Sequence, residues 1–375
     1  MAAIDALRRL LVRLGRVWRT LLPGLLATGS AVAATLPEDK AELVYHRYEG
    51  GGVIADGPAL LVRKSLADRV SVSAQYYVDA VSNASIDVVT TASPFKETRH
   101  AVDFGADWLV RDTLLTLSAG RSKEPDYLVE AFGLDVAHEV FGGMTTVSAG
   151  FTRSRDQVGQ KGTPGWIDQA THWQYRGGLT QILTPRWLAS VNLEIVSDEG
   201  FLGSPYRAAR VFGAAVPERN PRTRTSRAVK LRTAGDTGAL LARSALYAEY
   251  RYYWDTWDIR AHTTELGASK YVGERFLVDA SLRLYAQDKA LFYSDDAQAE
   301  TRYVSRNRQL STFDSTAFAL RATYAWPGQP AGMALKLTAG YELKRFRFKD
   351  FTDLRSGAPY RYDAHVLQMT VNATF

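Results

Sequence analysis

The chain has 375 residues, no cysteine, and 46 basic against 40 acidic side chains. The lack of cysteine excludes disulfide bonds, thiolate metal sites, iron–sulfur clusters and haem attached through a Cys-x-x-Cys-His motif. Five arginines and one aspartate lie in the first 33 residues, so residues 34–375 carry 41 basic and 39 acidic side chains, a net charge of +2 instead of +6. No basic patch interleaved with aromatic residues follows, and nucleic acid is not an expected partner.

The N-terminus has the composition of an export signal. Arginines at positions 8–19 precede an apolar run over 21–34, which offers Ala31-Val32-Ala33 as a cleavage site. A membrane helix needs about 20 uninterrupted apolar residues, and this shorter run is broken by Pro23 and Gly24. We therefore predict a signal peptide over 1–33 and a single domain over 34–375. Because no later segment comes closer to a spanning helix, a membrane-resident chain can cross only as a closed barrel.

Alternation of apolar and polar residues recurs along the remaining chain, for example over 70–79, 187–195 and 278–285. Segments of about ten residues with this period are typical of outer-membrane barrels. The predicted strands are 40–48, 57–65, 69–79, 99–109, 113–122, 129–140, 144–153, 171–181, 187–197, 222–233, 243–253, 257–270, 275–287, 313–325, 334–346 and 362–375. This pattern predicts an all-β fold, a transmembrane antiparallel up-and-down β-barrel of about 16 strands. The first strand lacks a sharp pattern, which leaves 14 strands as the alternative.

The polar faces of these strands carry many charges. Alternation alone does not distinguish a soluble barrel, which places its apolar face inside, from a membrane barrel, which places it outside. So many charged side chains do not suit a dry core, and they indicate a water-filled lumen. The candidate lumen residues on the predicted strands are Glu249, Arg251, Arg283 and Arg321.

The connections differ in length in the way that a membrane barrel requires. The even-numbered connections, near 66–68, 110–112, 141–143, 182–186 and 271–274, are short and suit periplasmic turns. The odd-numbered connections, near 80–98, 154–170, 198–221, 288–312 and 347–361, are mostly long and suit extracellular loops. A short connection at 254–256 is the exception. These features predict a location in the outer membrane of a Gram-negative bacterium, in contact with its lipid and lipopolysaccharide.

The last strand supports the same location. Leu367, Met369, Val371 and Phe375 fall on one apolar face, and the chain ends on the aromatic residue. A terminal aromatic strand resembles the signal by which barrels are delivered to the outer-membrane insertion machinery, so we expect that machinery to be a partner. The alternative is the edge strand of a soluble sandwich.

Acidic pairs stand at two predicted extracellular strand ends. Glu124 and Asp126 form one pair, and Asp198 and Glu199 form the other. Converging carboxylates bind divalent cations, but solvated loops held by turn hydrogen bonds have the same composition, and that interpretation is preferred. The six histidines are dispersed without metal-ligand spacing, so no metal site is predicted.

Basic residues cluster over 219–227. On an extracellular loop, such a cluster could contact lipopolysaccharide phosphates or pair with Asp198 and Glu199, and internal pairing is the preferred interpretation. If Arg222, Arg224 and Glu199 point inward, they would form a charged constriction that sets pore selectivity.

No motif indicates catalysis or cofactor binding. Serines and histidines occur without the surroundings of a nucleophile, and the glycine-rich stretches at 50–52 and 142–143 precede no helix that could bind a phosphate. The sequence therefore predicts neither an enzyme nor a cofactor.

Several loop motifs together resemble a known family. They lie at 87–94, 124–127, 180–186, 198–202, 221–226, 259–263 and 310–313. The set is similar to that of domain of unknown function 3570, a family of predicted Gram-negative outer-membrane barrels. The likeness covers nearly all of the chain after the signal peptide. It implies an envelope redox context, since relatives are encoded near thioredoxin-like and flavin-attaching proteins, and a periplasmic or lipoprotein partner would then carry the cofactor.

Three functions stay open at this stage. The first and preferred is a porin-like channel for small solutes, because a barrel of 16 strands usually leaves an aqueous path. The second is a non-conducting scaffold that docks or houses a partner of an envelope redox system. The third is an outer-membrane enzyme, which requires a serine, a histidine and an acid to converge. An inward-folded loop would favour the scaffold over the channel.

Overall fold

The computed structural model describes residues 35–83, 95–160, 162–163, 165–238 and 242–375. The predicted signal peptide and the motif at 87–94 lie outside these residues.

Sixteen antiparallel strands close into one barrel, which confirms the predicted fold class and the strand number of 16. The barrel strands are β1 (Lys40–Gly50), β2 (Val53–Ala67), β3 (Val70–Asn83), β4 (Phe95–Val110), β5 (Thr113–Lys123), β6 (Tyr127–Val140), β7 (Thr145–Gly159), β8 (Ile167–Thr184), β9 (Trp187–Gly200), β12 (Thr223–Asp236), β13 (Ser244–Asp255), β14 (Arg260–Val272), β15 (Phe276–Gln287), β16 (Phe313–Ala325), β17 (Ala334–Thr352) and β18 (Pro359–Thr374). The short strands β10 (Ala208–Val211) and β11 (Ala214–Pro217) form a separate hairpin in the connection between β9 and β12.

The first and last strands close the barrel. β1 pairs with β18 from Lys40 opposite Thr374 to Gly50 opposite Ala364, so the strand with the weakest pattern has a full ladder. Leu367, Met369 and Val371 lie on the outward face of β18, and Phe375 follows it with its amide donating to the Asp39 carbonyl at 3.2 Å. Among the described residues, no helix is long and apolar enough to span a bilayer.

The outer surface of the barrel is apolar. Large side chains such as Phe104, Leu193 and Met369 are more than half exposed, and they alternate with residues that face the lumen. An exposed apolar belt of this extent around a polar interior requires lipid contact. The barrel therefore lies in the outer membrane of a Gram-negative bacterium.

Outward tyrosine–histidine pairs lie toward the extracellular end of this belt. A tyrosine hydroxyl bonds the Nδ1 atom of a histidine on the next strand in Tyr76–His100 at 2.8 Å, Tyr250–His262 at 2.7 Å and Tyr341–His365 at 2.6 Å. Trp108 of β4 carries an exposed indole near the periplasmic end of the same strand as His100. The span from His100 to Trp108 has nine residues, which matches the length of about 9–11 residues of a tilted transmembrane strand. The residues of β4 that precede His100 accordingly lie outside the membrane, on its extracellular side.

The periplasmic ends are joined by tight turns, as predicted. In the β6–β7 turn, Phe141, Gly142 and Gly143 all have positive φ angles, which glycine adopts without strain at the second and third positions. The β2–β3, β4–β5 and β8–β9 connections are equally short.

Two extracellular loops are shorter than predicted. β7 continues to Gly159 and β8 begins at Ile167, while β17 reaches Thr352 and β18 begins at Pro359. The outward residues of these extensions include Arg155 and Arg347. Above the membrane both faces of a strand meet water, so the alternation disappears although the backbone ladder continues. The β1–β2 and β5–β6 connections are also short.

Candidate functional site

The lumen has two walls of opposite charge character. The inner face of β2–β9 is here called the acidic wall, because carboxylates outnumber basic side chains there among the described residues. Its carboxylates are Asp79, Glu97, Asp103, Asp107, Asp135, Glu139, Asp156, Asp168, Glu194 and Asp198. Its arginines are Arg63, Arg99 and Arg176, beside His172. On the inner face of β12–β18 and β1, the basic wall, the basic residues are Lys40, Arg224, Lys230, Arg232, Arg251, Arg283, Arg321, Lys336 and Lys344 and the acids are Glu42, Asp236, Glu249, Asp255, Glu265, Asp279 and Glu342. Since the two walls are opposite halves of the barrel, a field points across the lumen.

Ion pairs connect the charged side chains of the basic wall. The carboxylate of Glu249 lies 3.6 Å from Lys230 and 3.3 Å from Arg232 on the neighbouring strand. Arg283–Glu265 at 2.6 Å and Arg321–Asp279 at 3.7 Å also join neighbouring strands, Lys344–Glu342 at 3.2 Å lies within β17, and Arg251 reaches Glu194 of the acidic wall at 3.6 Å. The four predicted lumen residues on strands, Glu249, Arg251, Arg283 and Arg321, all lie on this wall. Their long side chains project into the lumen from the strands that carry them.

The middle of the acidic wall is lined by small residues. Glycines at positions 105, 120, 133, 150 and 178 alternate there with serines and aspartates. A Cβ atom at Gly120 would collide with the Asp103 carboxylate, and one at Gly150 would collide with Asp135. The Arg176 guanidinium reaches Asp135 at 2.7 Å, and Arg63 pairs with buried Asp107. The glycines of this wall thus accommodate the carboxylates and serine hydroxyls of neighbouring strands.

One predicted acid, Asp198, binds a histidine on the acidic wall. His172 places Nδ1 at 2.6 Å from Asp198 and Nε2 at 3.2 Å from Asp156, and both carboxylates are nearly fully buried. Because both ring nitrogens face carboxylates, the ring donates twice only as an imidazolium. No nitrogen is left to act as a base for a hydroxyl, so this histidine is not arranged for nucleophilic catalysis.

The predicted basic cluster pairs with acids other than those expected. Arg222 forms two hydrogen bonds with Asp168, at 2.8 and 2.7 Å, and Arg224 binds Asp255 at 2.5 Å. Internal pairing is thus present, but Asp198 and Glu199 are not the partners. Glu199 lies on the outward face of β9 and is exposed. The suggested inward constriction of Arg222, Arg224 and Glu199 is therefore wrong for Glu199, because the strand period turns it away from its neighbour Asp198.

The other predicted acidic pair meets a third acid. Glu124 and Asp126 lie in the β5–β6 turn, and one carboxylate oxygen from each of Glu97, Glu124 and Asp126 lies within 4.8 Å of the others. Glu124 is only 5 % exposed, and burial raises the pKa of its carboxyl to about 7, although Arg99 opposes that shift. The participation of Glu97 was not predicted, since nothing in its local sequence connects it with residues 27 positions later.

The connection 288–312, here called the mouth loop, packs inside the extracellular end of the barrel. Its Tyr293 and Leu310 are buried against inward aromatic residues of β17 and β18, including Phe348 and Tyr360. Arg308 lies over the rings of Tyr360 and Tyr362 at 5.7 and 5.3 Å and donates to the Gly51 carbonyl at 3.4 Å. The mouth loop therefore reaches from β15 to the β1–β2 turn.

A second segment, 201–222, pairs with the mouth loop. The amides of Arg219 and Val304 each donate to the carbonyl of the other at 2.9 Å, and Arg207 donates to Asn307 at 2.8 Å. On its other side, Tyr206 donates to Asp126 in the β5–β6 turn. The two segments together extend across the mouth between opposite walls.

Residues 166–329 match the family described as protein of unknown function (DUF3570). This match confirms the resemblance drawn from the loop motifs, of which those at 124–127 and 87–94 lie outside the matched region. Among curated proteins, no sequence matches the chain.

Solved outer-membrane barrels are similar in fold. A bacterial polysaccharide outer membrane secretin aligns with a TM-score of 0.51 and 10 % identity, covering 89 % of this chain and 98 % of that chain. The siderophore receptor PirA from Pseudomonas aeruginosa aligns with a TM-score of 0.44 and 10 % identity, covering 90 % and 81 %. OmpTdeltaL8, an outer membrane protein of Vibrio cholerae, aligns with a TM-score of 0.46 and 8 % identity, covering 89 % and 97 %.

Proposed function

We propose that this barrel of the outer membrane is a porin-like channel that passes small hydrophilic solutes and prefers cations. The observation that carries the proposal is the polar lining of the lumen, in which carboxylates outnumber basic side chains among the described residues. A barrel of 16 strands is wide enough to hold water between its walls.

The path that we propose follows the middle of the acidic wall. Glycine, serine and aspartate give that wall short side chains, whereas longer paired side chains extend from the basic wall on the opposite side. Fixed carboxylates along an aqueous path attract cations and repel anions, and rings of Asp or Glu give cation selectivity in other pores. The mouth loop and the segment 201–222 narrow the entrance, which restricts the channel to small solutes.

The mouth loop folds into the end of the barrel, as the scaffold interpretation requires, and it supports a second candidate, a non-conducting scaffold that docks a partner. A loop held by a buried aromatic cluster and by Arg308 is a persistent part of the mouth. In that case the barrel would position the loop surface, and the lumen charges would only hold the strands together. The two candidates differ in conductance.

The test is single-channel recording of the refolded chain 34–375 in a planar bilayer, with ion selectivity read from the reversal potential in a KCl gradient. We expect stable open steps and a reversal potential on the cation-selective side. Asp135→Asn removes an inward carboxylate of β6 and leaves Arg176 without its partner, so the cation preference should fall.

Glu130→Gln is the matched control, because it neutralises a carboxylate of the same strand that faces outward and lies 3.6 Å from Arg121. It should leave the selectivity unchanged. A folded barrel without conductance would reject the channel and favour the scaffold, and an equal shift in both variants would reject the acidic wall as the selective element.

A further inference from the structure

The three carboxylates at the extracellular ends of β4 and β5–β6 form a compact group. Each of Glu97, Glu124 and Asp126 contributes an oxygen, and these oxygens lie within 4.8 Å of one another. Three oxygens no more than 4.8 Å apart lie no more than about 2.8 Å from a common centre, so shifts of a few tenths of an ångström bring them to the calcium–oxygen bond length of about 2.4 Å.

The burial of two of these groups points to a ligand. Glu124 is 5 % exposed, and among the described residues its Oε2 atom has no hydrogen-bond donor. The Oδ1 atom of Asp126 is also buried without a donor, while its Oδ2 atom accepts from Tyr206. A carboxylate oxygen that has lost water and gained no donor is costly to ionise, and a bound cation removes that cost.

The charges of this group favour a divalent cation. Arg99 stabilises the Glu124 carboxylate, and it is itself buried beside the Tyr77 ring. Three neighbouring carboxylates carry more negative charge than this guanidinium offsets, and a divalent cation compensates more of that charge than a monovalent cation does.

We propose that Glu97, Glu124 and Asp126 bind one Ca²⁺ ion at the extracellular rim. Carboxylates from one strand and a turn give the irregular oxygen set that Ca²⁺ accepts with water completing its shell, whereas Mg²⁺ demands a near-ideal octahedron. The site is independent of solute passage and goes beyond the proposed function.

A Ca²⁺ ion bound at this site would also hold the adjoining segment 201–222 in position. The Asp126 side chain accepts from Tyr206 of segment 201–222, and its carbonyl accepts from the Gly159 amide at 2.7 Å. Calcium at this turn therefore holds β7 and segment 201–222 in place.

The experiment is calorimetric titration of the refolded chain 34–375 in detergent with CaCl₂ alone, after removal of metal with EDTA. We expect one saturable site with Mg²⁺ binding more weakly. Glu124→Gln and Asp126→Asn should each weaken Ca²⁺ binding at least tenfold. Glu199→Gln, which neutralises an exposed outward carboxylate at the same end of β9, should bind like the unmodified chain.

Amide hydrogen exchange supplies a second measurement, in which Ca²⁺ should slow exchange around 201–207 in the unmodified chain and not in Asp126→Asn. Folding of each variant is checked by heat-modifiable mobility. If Glu124→Gln does not fold, Asp126→Asn and the titration of the unmodified chain test whether the site binds Ca²⁺. Absence of saturable binding at millimolar Ca²⁺ by the folded unmodified chain, or equal affinity in folded ligand variants, would overturn the site, whether or not the barrel conducts.

Discussion

Replacement of Leu310 by alanine should release the mouth loop from the barrel. Leu310 is 6 % exposed in a cluster with Trp257, Tyr293 and Phe348. Buried Leu→Ala substitutions cost about 2–5 kcal/mol, and most where the cavity cannot collapse. This cluster borders the lumen and can partly relax, so we expect the lower part of that range, about 2–3 kcal/mol. Since each 1.4 kcal/mol is a factor of ten, the opened population should rise about 30- to 150-fold.

Hydrogen exchange measured by mass spectrometry checks this estimate. In lipid nanodiscs, amides of 304–311 should exchange faster in Leu310→Ala by about that factor, while β16 remains protected. Leu320→Ala is the matched control, because it removes the same atoms from the lipid-facing side of β16, where Leu320 is 48 % exposed. It should leave exchange of the mouth loop unchanged.

Unchanged exchange of 304–311 in a folded Leu310→Ala barrel would refute the conclusion that apolar packing holds the loop. Bilayer recordings of the same variant separate two roles of the loop. Larger or more frequent open steps would assign the constriction to it, whereas loop opening without a change in conductance would place the constriction deeper in the lumen.

Two further predictions concern assembly and stability. Phe375→Asp, or loss of residues 374–375, should impair insertion into the membrane, because it removes the aromatic end of the closing strand. Lys64 lies over the Phe375 ring, 4.9 Å from its centroid. Normal accumulation of heat-modifiable protein would contradict an assembly role. His172→Leu should destabilise the barrel by about 3–5 kcal/mol, as it leaves buried Asp156 and Asp198 without their shared cation. A urea titration in lipid vesicles measures this loss, His100→Leu on the outward face is the control, and equal midpoints for the two variants would reject the pairing.

The strand pattern was predictable because it is local. Alternation over 187–195 has a period of two residues whatever the neighbouring strands are, and an apolar face needs lipid wherever the strand lies in the barrel. The same period places Glu249 and Arg283 in the lumen. It fails above the membrane, where β7 and β17 continue with charges on both faces, and there the sequence underestimates strand length.

The sequence by itself therefore determined the order of the strands, the barrel and its membrane, since each depends on residue periodicity and turn composition. The ladder between β1 and β18 decided that the barrel has 16 strands and not 14. Only the tertiary structure decided which charges meet. Strand register pairs His172 with Asp198 and turns adjacent Glu199 outward. The path of the long connections brings Tyr206 to Asp126 and Arg308 to Gly51. Such contacts join residues far apart in the chain, and their geometry follows from closure of the barrel and packing at its mouth.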